Sequence, residues 1–133
     1  MTQSPIPVQC LDLLERPLLA ILATIMPDGS PQATPLWFDY DGQYIRVNAA
    51  QGRVKERNMR RDPRVALVIV DDRNPYRYIQ IRGRVAEIIE GDIARLHIDE
   101  LSRRYTGQDW QSPRPDEKRV LFCIRVESVS SMG

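Results

Sequence analysis

The sequence predicts a mainly β protein with flanking helices, an antiparallel barrel closed or nearly closed on itself. Six short runs rich in β-branched and aromatic residues are separated by mostly short connections. Two Asp-Gly pairs, Asp28-Gly29 and Asp41-Gly42, stand where tight hairpin turns would fold. Helical spacing is confined to a few segments, and an open sheet this small would expose long edges that a barrel removes. The 133 residues suit one domain, residues 1–133, large enough to bury well over half of the surface its unfolded chain exposes.

The elements follow in order. Ile6, Val8, Leu11 and Leu14 recur at helical spacing and Pro17 ends the pattern, so a short amphipathic helix over 8–15 caps one barrel end. "LLAILATIM" reads as a buried strand, "PDGSPQ" as its turn, and "QATPLWFDY" as the returning strand. Asp41-Gly42 turns this into "QYIRVNA", which makes the two hairpins a meander. "RVALVIVD" reads as a central strand and "RYIQIRGRVAEII" as a long one, with Gly83 marking a bulge or bend. "DIARLHIDELSRRY" places Ile93, Leu96, Ile98, Leu101 and Tyr105 at helical spacing, with Gly107 past its end. A loop, "TGQDWQSPRPDEK", leads to the last strand, "RVLFCIRVE".

Composition narrows the function classes. Cys10 and Cys123 lack the close spacing of a zinc site or redox dithiol, and the N-terminal stretch lacks the basic and apolar regions of a secretory signal. Both cysteines are expected to be reduced, in a cytoplasmic protein. The longest apolar run is about half of the ~20 residues a membrane helix needs. The net charge of +1 calls for neither nucleic acid nor an anionic membrane.

One segment departs from that balance. Between Val47 and Ile69 stand Arg53, Lys55, Arg57, Arg60, Arg61 and Arg64. On a helix opened by Arg53, the residues Arg57, Arg60 and Arg61 share the face of Arg53, while Lys55 turns the other way, beside Met59. Gly52 permits a tight turn, and the N–H groups after it, with Arg53 and Lys55, suit a phosphate. Asn48 and Asn58 add hydrogen-bonding groups on either side. From pattern alone, an exposed helix with solvated cations remains the competing reading.

"GRVKERNMRRDPRVAL" and "ATIMPDGSPQATPLW", together with "PYRYIQIRGRV" and "RYTG", resemble the pyridoxamine 5′-phosphate oxidase-like superfamily, an FMN-binding antiparallel split β-barrel, and specifically its branch of reductases dependent on the deazaflavin coenzyme F420. The resemblance spans nearly the whole chain. It implies that Arg53 and Lys55 hold the cofactor phosphate, that Asn58 supports them, and that Asn48 stands on the strand entering the site. Gln32, Ala33 and Thr34 would lie along the ring, while Tyr76 and Arg77 match a block that contributes to a site. Trp110 is a further candidate. A homodimer with cofactor sites across its interface is implied as well. The chain ends "VESVSSMG", without the aromatic or basic tail that many relatives carry near the ring.

A flavin or deazaflavin carries the redox chemistry itself, which agrees with the lack of any protein nucleophile constellation. His97 and Glu100 are one helical turn apart, but two ligands do not make a metal site, and His97 reads as a helix-surface or satisfied interface residue. Trp37, Phe38 and Tyr40 read as core and interface, and Tyr78 or Tyr105 as a proton donor. Three readings stand: an F420-dependent reductase of a small conjugated or aromatic electrophile such as an enone, quinone or nitro compound; an FMN-binding oxidoreductase related to pyridoxamine 5′-phosphate oxidase; and a non-catalytic flavin, deazaflavin or tetrapyrrole carrier. On the first, Arg57, Arg60 and Arg61 would line the path of the coenzyme's anionic tail.

Overall fold

The computed structural model describes residues 5–133, so the first four residues of the N-terminal stretch read above lie outside it. Val8–Cys10 forms a 3-10 turn that runs directly into helix α1, Leu11–Glu15. The tighter turn rotates the expected apolar face. Ile6, Leu13 and Leu14 are buried, whereas Val8, expected inward, is exposed.

Seven strands follow, one more than expected. They are β1 (Ala20–Ile25), β2 (Pro31–Leu36), β3 (Phe38–Tyr40), β4 (Tyr44–Ala50), β5 (Arg64–Val70), β6 (Tyr78–Ile89) and β7 (Arg119–Met132). Helix α2 (Val54–Arg61) joins β4 to β5, and α3 (Asp92–Thr106) lies between β6 and β7. All the strands belong to one antiparallel sheet in the order β2-β1-β5-β6-β7-β4-β3. The run "QATPLWFDY" breaks at Trp37, and its halves pair with different neighbours: β2 with β1, β3 with β4. Both hairpins therefore form, but they stand at opposite edges of the sheet and are not a meander. Because Leu36 and Phe38 flank a single residue, the two edges must meet at Trp37, and this contact curls the sheet into a half-open barrel.

Alternation sorts the side chains. Leu22, Phe38, Ile45, Val47, Leu67, Ile69, Ile79, Ile81, Phe122 and Ile124 fill the concave interior, with α1 and Met59 of α2 closing it. Helix α3 packs on the opposite face of β4 and β7, where Ala94, Leu121 and Cys123 form a smaller core. That placement buries Ala94, His97, Ile98 and Leu101 and leaves Ile93 and Leu96 exposed, so the buried stripe is rotated from the one expected.

Gly83 marks a register shift in the β6/β7 ladder, as expected. A Cβ there would lie 2.5 Å from the Arg125 carbonyl oxygen and 2.9 Å from Ile124 Cγ2, so the strands approach too closely for any side chain. Both cysteines are buried and unbridged, and burial pushes the Cys123 thiol up to about 11. No described helix is long and apolar enough to cross a membrane.

Candidate functional site

The end of β4, the start of α2, the second half of α3 and the 107–118 loop surround a cleft of about 360 Å³. Its walls are apolar: Leu36 and Trp37 at the β2/β3 break, Ile98 and Leu101 from α3, and Trp110 from the loop. Trp37 is fixed by stacking on Tyr105 at 5.3 Å and by an edge-on contact with Trp110 at 5.9 Å. The cleft rim holds three cations, Arg53, Lys55 and Arg119, and one carboxylate, Glu117.

Local chemistry places Lys55. Gly52 takes φ 92°, a left-handed turn that costs glycine little, and Arg53 becomes the N-cap residue of α2. Lys55 then turns inward with the buried Met59, as the helical spacing implied. Its Nζ donates to Thr34 Oγ1 at 3.3 Å, and neither Lys55 nor Arg53 is paired with a carboxylate among the described residues. Burial, and then the charges of Arg53 and Arg119, push the Lys55 ammonium below its ordinary value. Asn58 is buried behind the rim, donating to Thr24 Oγ1 at 3.0 Å and so tying α2 to β1.

A second polar chain leads away from the cleft. Arg119 lies over the Trp110 ring at 5.2 Å and donates through Nε to Asn48 Oδ1 at 2.8 Å and through Nη1 to Glu117 at 3.2 Å. Asn48 Nδ2 meets the Ala94 carbonyl at 3.0 Å and His97 Nδ1 at 3.1 Å. His97 Nε2 lies 3.2 Å from Asp39 Oδ2, and Arg46 Nε reaches Asp39 Oδ1 at 2.8 Å. Burial raises the Asp39 carboxyl, but hydrogen bonds from His97 and Arg46 overcome this and hold it below its ordinary value.

The structure brings Asn48, Arg53 and Lys55 together at the cleft and puts Thr34 against Lys55. Gln32 instead accepts from Thr24 at 3.1 Å, and Gln32 and Ala33 are not among the residues of the cleft wall, where Pro35 and Leu36 stand. Tyr76 is exposed, and neither it nor Arg77 lines the cleft. Arg77 clamps α1 to the β5–β6 connection through Asp12 and Asp71, at 2.5 and 3.0 Å. Of the outer arginines, Arg60 pairs with Glu56 and Glu90 and Arg61 donates to the neutral Ile25 carbonyl at 2.8 Å, whereas exposed Arg57 has no carboxylate partner among the described residues. Buried Glu56 also accepts from the Gly52 N–H at 2.8 Å, and the first N–H after it, that of Arg53, donates to the Ala50 carbonyl at 3.2 Å, which removes one donor from the expected phosphate nest. His97, expected at a helix surface or interface, is 1% exposed inside the fold.

Arg119 and Glu117 escaped the sequence reading because β4/β7 pairing, Ala50 opposite Arg119, is what brings Arg119 and the loop residue Glu117 just ahead of it to the site. Trp110, a lesser candidate, proves to be a wall of the cleft.

A family model described as pyridoxamine 5′-phosphate oxidase matches residues 6–133. The chain belongs to the pyridoxamine 5′-phosphate oxidase family. It is 32% identical over 113 residues to the F420H(2)-dependent biliverdin reductase of Mycobacterium tuberculosis (strain CDC 1551 / Oshkosh), covering 84% of this chain and 77% of that protein. A solved structure described as an F420 reductase superposes with a TM-score of 0.84 at 37% identity, over 94% of this chain and 98% of the other. A crystal structure of a conserved hypothetical protein from Mycobacterium tuberculosis gives a TM-score of 0.76 at 28% identity, over 99% and 89% of the two chains.

The cleft of this pyridoxamine 5′-phosphate oxidase family member fits a ring cofactor bearing a phosphate. Apolar and aromatic walls suit a flat heterocycle, while the three rim cations exceed the one carboxylate among them. An anion beside Lys55 would stabilise the ammonium that burial, and then the charges of Arg53 and Arg119, disfavour.

Proposed function

We propose that the protein is an oxidoreductase that holds the deazaflavin coenzyme F420 in this cleft and reduces a small conjugated or aromatic electrophile of the enone, quinone or nitro type. One observation carries the reading: Lys55 is half-buried, faces two further cations and has no carboxylate partner among the described residues, an arrangement that a bound phosphate completes. The F420 reductases among its relatives support the choice of coenzyme. When bound, F420 supplies hydride transfer at its ring. The chain's residues do the rest. Arg53, Lys55 and Arg119 bind the anionic portion, and Trp37, Trp110 and Ile98 orient the ring and exclude water.

FMN is the alternative cofactor of the same family, and the adjoining surface favours the longer coenzyme. A second cleft of about 300 Å³ shares Ala50, Arg53, Pro113 and Glu117 with the first and adds Gln51, Arg114, Asp116 and Lys118. Its three cations, Arg53, Arg114 and Lys118, outnumber its two carboxylates by one and give an anionic tail a weakly basic path. Exposed pairs are worth only ~0.2–1 kcal/mol each and are screened by salt, so the tail's contribution should be modest.

A homodimer completes the reading. On the outer face of β2, β1, β5 and β6, pairing aligns Pro35, Ile21 and Val68 in one row and Ala33, Ala23 and Ala66 in the next. Ile21 and Val70 are exposed there, and Leu19 and Pro35 also line the cleft, so a second copy on this face would wall the site.

Titration of the protein with F420 and with FMN at two salt concentrations tests the cofactor. F420 should bind more tightly, with an advantage that shrinks as salt is added; tighter FMN binding at both salts replaces this reading with the FMN one. Consumption of the reduced coenzyme across a panel of enones, quinones, nitro compounds and biliverdin, the substrate in one relative's name, then sorts the electrophile. Binding without consumption would mark a carrier.

A further inference from the structure

His97 is the chain's only histidine, is 1% exposed, and is not among the residues that line the cleft. We propose that it is a positioning residue for the cofactor cleft: through the Asn48 amide it fixes the direction in which Arg119 presents its guanidinium. This inference rests on the cleft's being the cofactor site.

The polarity of the chain is determined by its ends. Asn48 Nδ2 faces two groups, the Ala94 carbonyl, which can only accept, and His97 Nδ1. On the other side of the ring, His97 Nε2 faces the Asp39 carboxylate, itself held by Arg46 Nε and Nη2 at 2.8 and 2.9 Å. A carboxylate needs a donor, so Nε2 carries a proton; Nδ1, facing an amide nitrogen that also donates to the Ala94 carbonyl, is the acceptor. Nδ1 then receives the Asn48 amide proton, and the amide has one orientation. Turning it over would set Oδ1 against the Ala94 oxygen and the Nδ1 lone pair.

With Nδ2 held in this way, Oδ1 is delivered to Arg119 Nε at 2.8 Å. Glu117 takes Nη1, and Nη2 has no protein partner among the described residues, leaving that end of a cleft-lining guanidinium for an anion. Asp39 thus holds His97 Nε2, His97 together with the Ala94 carbonyl sets the Asn48 amide, and Asn48 sets Arg119. Each link joins a different element: β3, α3, β4 and β7.

Two substitutions separate positioning from space-filling. In Asn the side-chain oxygen can occupy the place of Nδ1, whereas in Gln the amide reaches the place of Nε2. His97→Asn should therefore keep F420 affinity within about twofold of wild type. His97→Gln, which can still satisfy Asp39 but offers nothing to Asn48, should weaken it on the order of tenfold. Equal losses in both variants would overturn the proposal. A measurement needing no variant stands beside these: the nitrogen-15 spectrum of the one imidazole at neutral pH. A protonated Nε2 and bare Nδ1 are expected; a proton on Nδ1, in the other tautomer or in the imidazolium, overturns the relay. Lys55→Ala separates this proposal from the reading beneath it. If Lys55→Ala leaves F420 binding unchanged, the cofactor site is wrong; if it weakens binding while His97→Gln does not, the relay alone fails.

Discussion

Leu36 and Phe38 are separated by one residue yet pair into opposite edges of the same sheet, Leu36 with Ala20 and Phe38 with Val47. Trp37 between them is thrown out of the ladder and becomes a wall of the cleft. The point that curls the barrel is therefore also the point that shapes the site. Tyr105 secures it: its hydroxyl accepts from the Phe38 N–H at 3.2 Å and lies 2.5 Å from the Leu18 carbonyl, while its ring stacks on Trp37.

That hydroxyl is committed to backbone groups, which argues against Tyr105 as the proton donor. Tyr105→Phe is expected to lower stability by ~1–3 kcal/mol, by leaving backbone groups unpaired, with little change in turnover relative to the fraction folded. Urea unfolding alongside single-turnover reduction of an electrophile checks this. A stable variant that has lost its chemistry would restore the donor role.

Lys55→Ala should raise the F420 dissociation constant on the order of tenfold or more, the loss of a charge-assisted contact of ~1.5–3 kcal/mol. Arg60→Ala should have little effect, because Arg60 is already paired with Glu56 and Glu90. Fluorescence quenching titrations compare the two; equal effects would count against the site.

The pH dependence follows from the lowered Lys55 pKa. Lys55 holds an anion only while protonated, so F420 affinity should fall as pH rises through a value below the ordinary 10.5. A bound anion raises that value again, and binding in this window takes up a proton. Lys55→Arg keeps its charge throughout and should lose the alkaline fall. Calorimetric titrations in buffers of different ionisation heats read the proton uptake directly.

At the acid end, Asp71 is expected to matter. The Arg73 N–H, followed by Arg77 and Arg16, holds its carboxyl at about 2 against an ordinary 3.8. Because the folded value is depressed, its contribution is present above about pH 4 and is lost as pH falls towards 2. Asp71→Asn should flatten the melting-temperature profile across that window. A profile with the wild-type slope would assign the acid sensitivity elsewhere.

Gly83→Ala should destabilise the protein by ~1–3 kcal/mol, since the new methyl meets the Arg125 carbonyl oxygen, part of the backbone of β7. Denaturant unfolding with unchanged slope and a lower midpoint is the expected result.

The sequence by itself determined the local elements and one half of the site. Helical spacing put Lys55 and Met59 on one side of α2, Gly52 supplied its turn, and the Asp-Gly pairs supplied both hairpins, because these depend on dihedral preferences and periods within a few residues. Tertiary structure decided where β2 ends and β3 begins, since the strand propensity of "QATPLWFDY" is continuous and only competition between two distant partners breaks it at Trp37. It also decided which cations serve the cleft. Arg60 and Arg61 share the segment of Lys55, but beyond the local Glu56–Arg60 pair one helical turn apart, Arg60 meets Glu90 and Arg61 the Ile25 carbonyl, whereas Arg119 arrives from the far end of the chain. Charge can be counted along a sequence, and an i,i+4 pair such as Glu56–Arg60 can be read there; which distant groups a charge meets depends on strand register, which long-range contacts set.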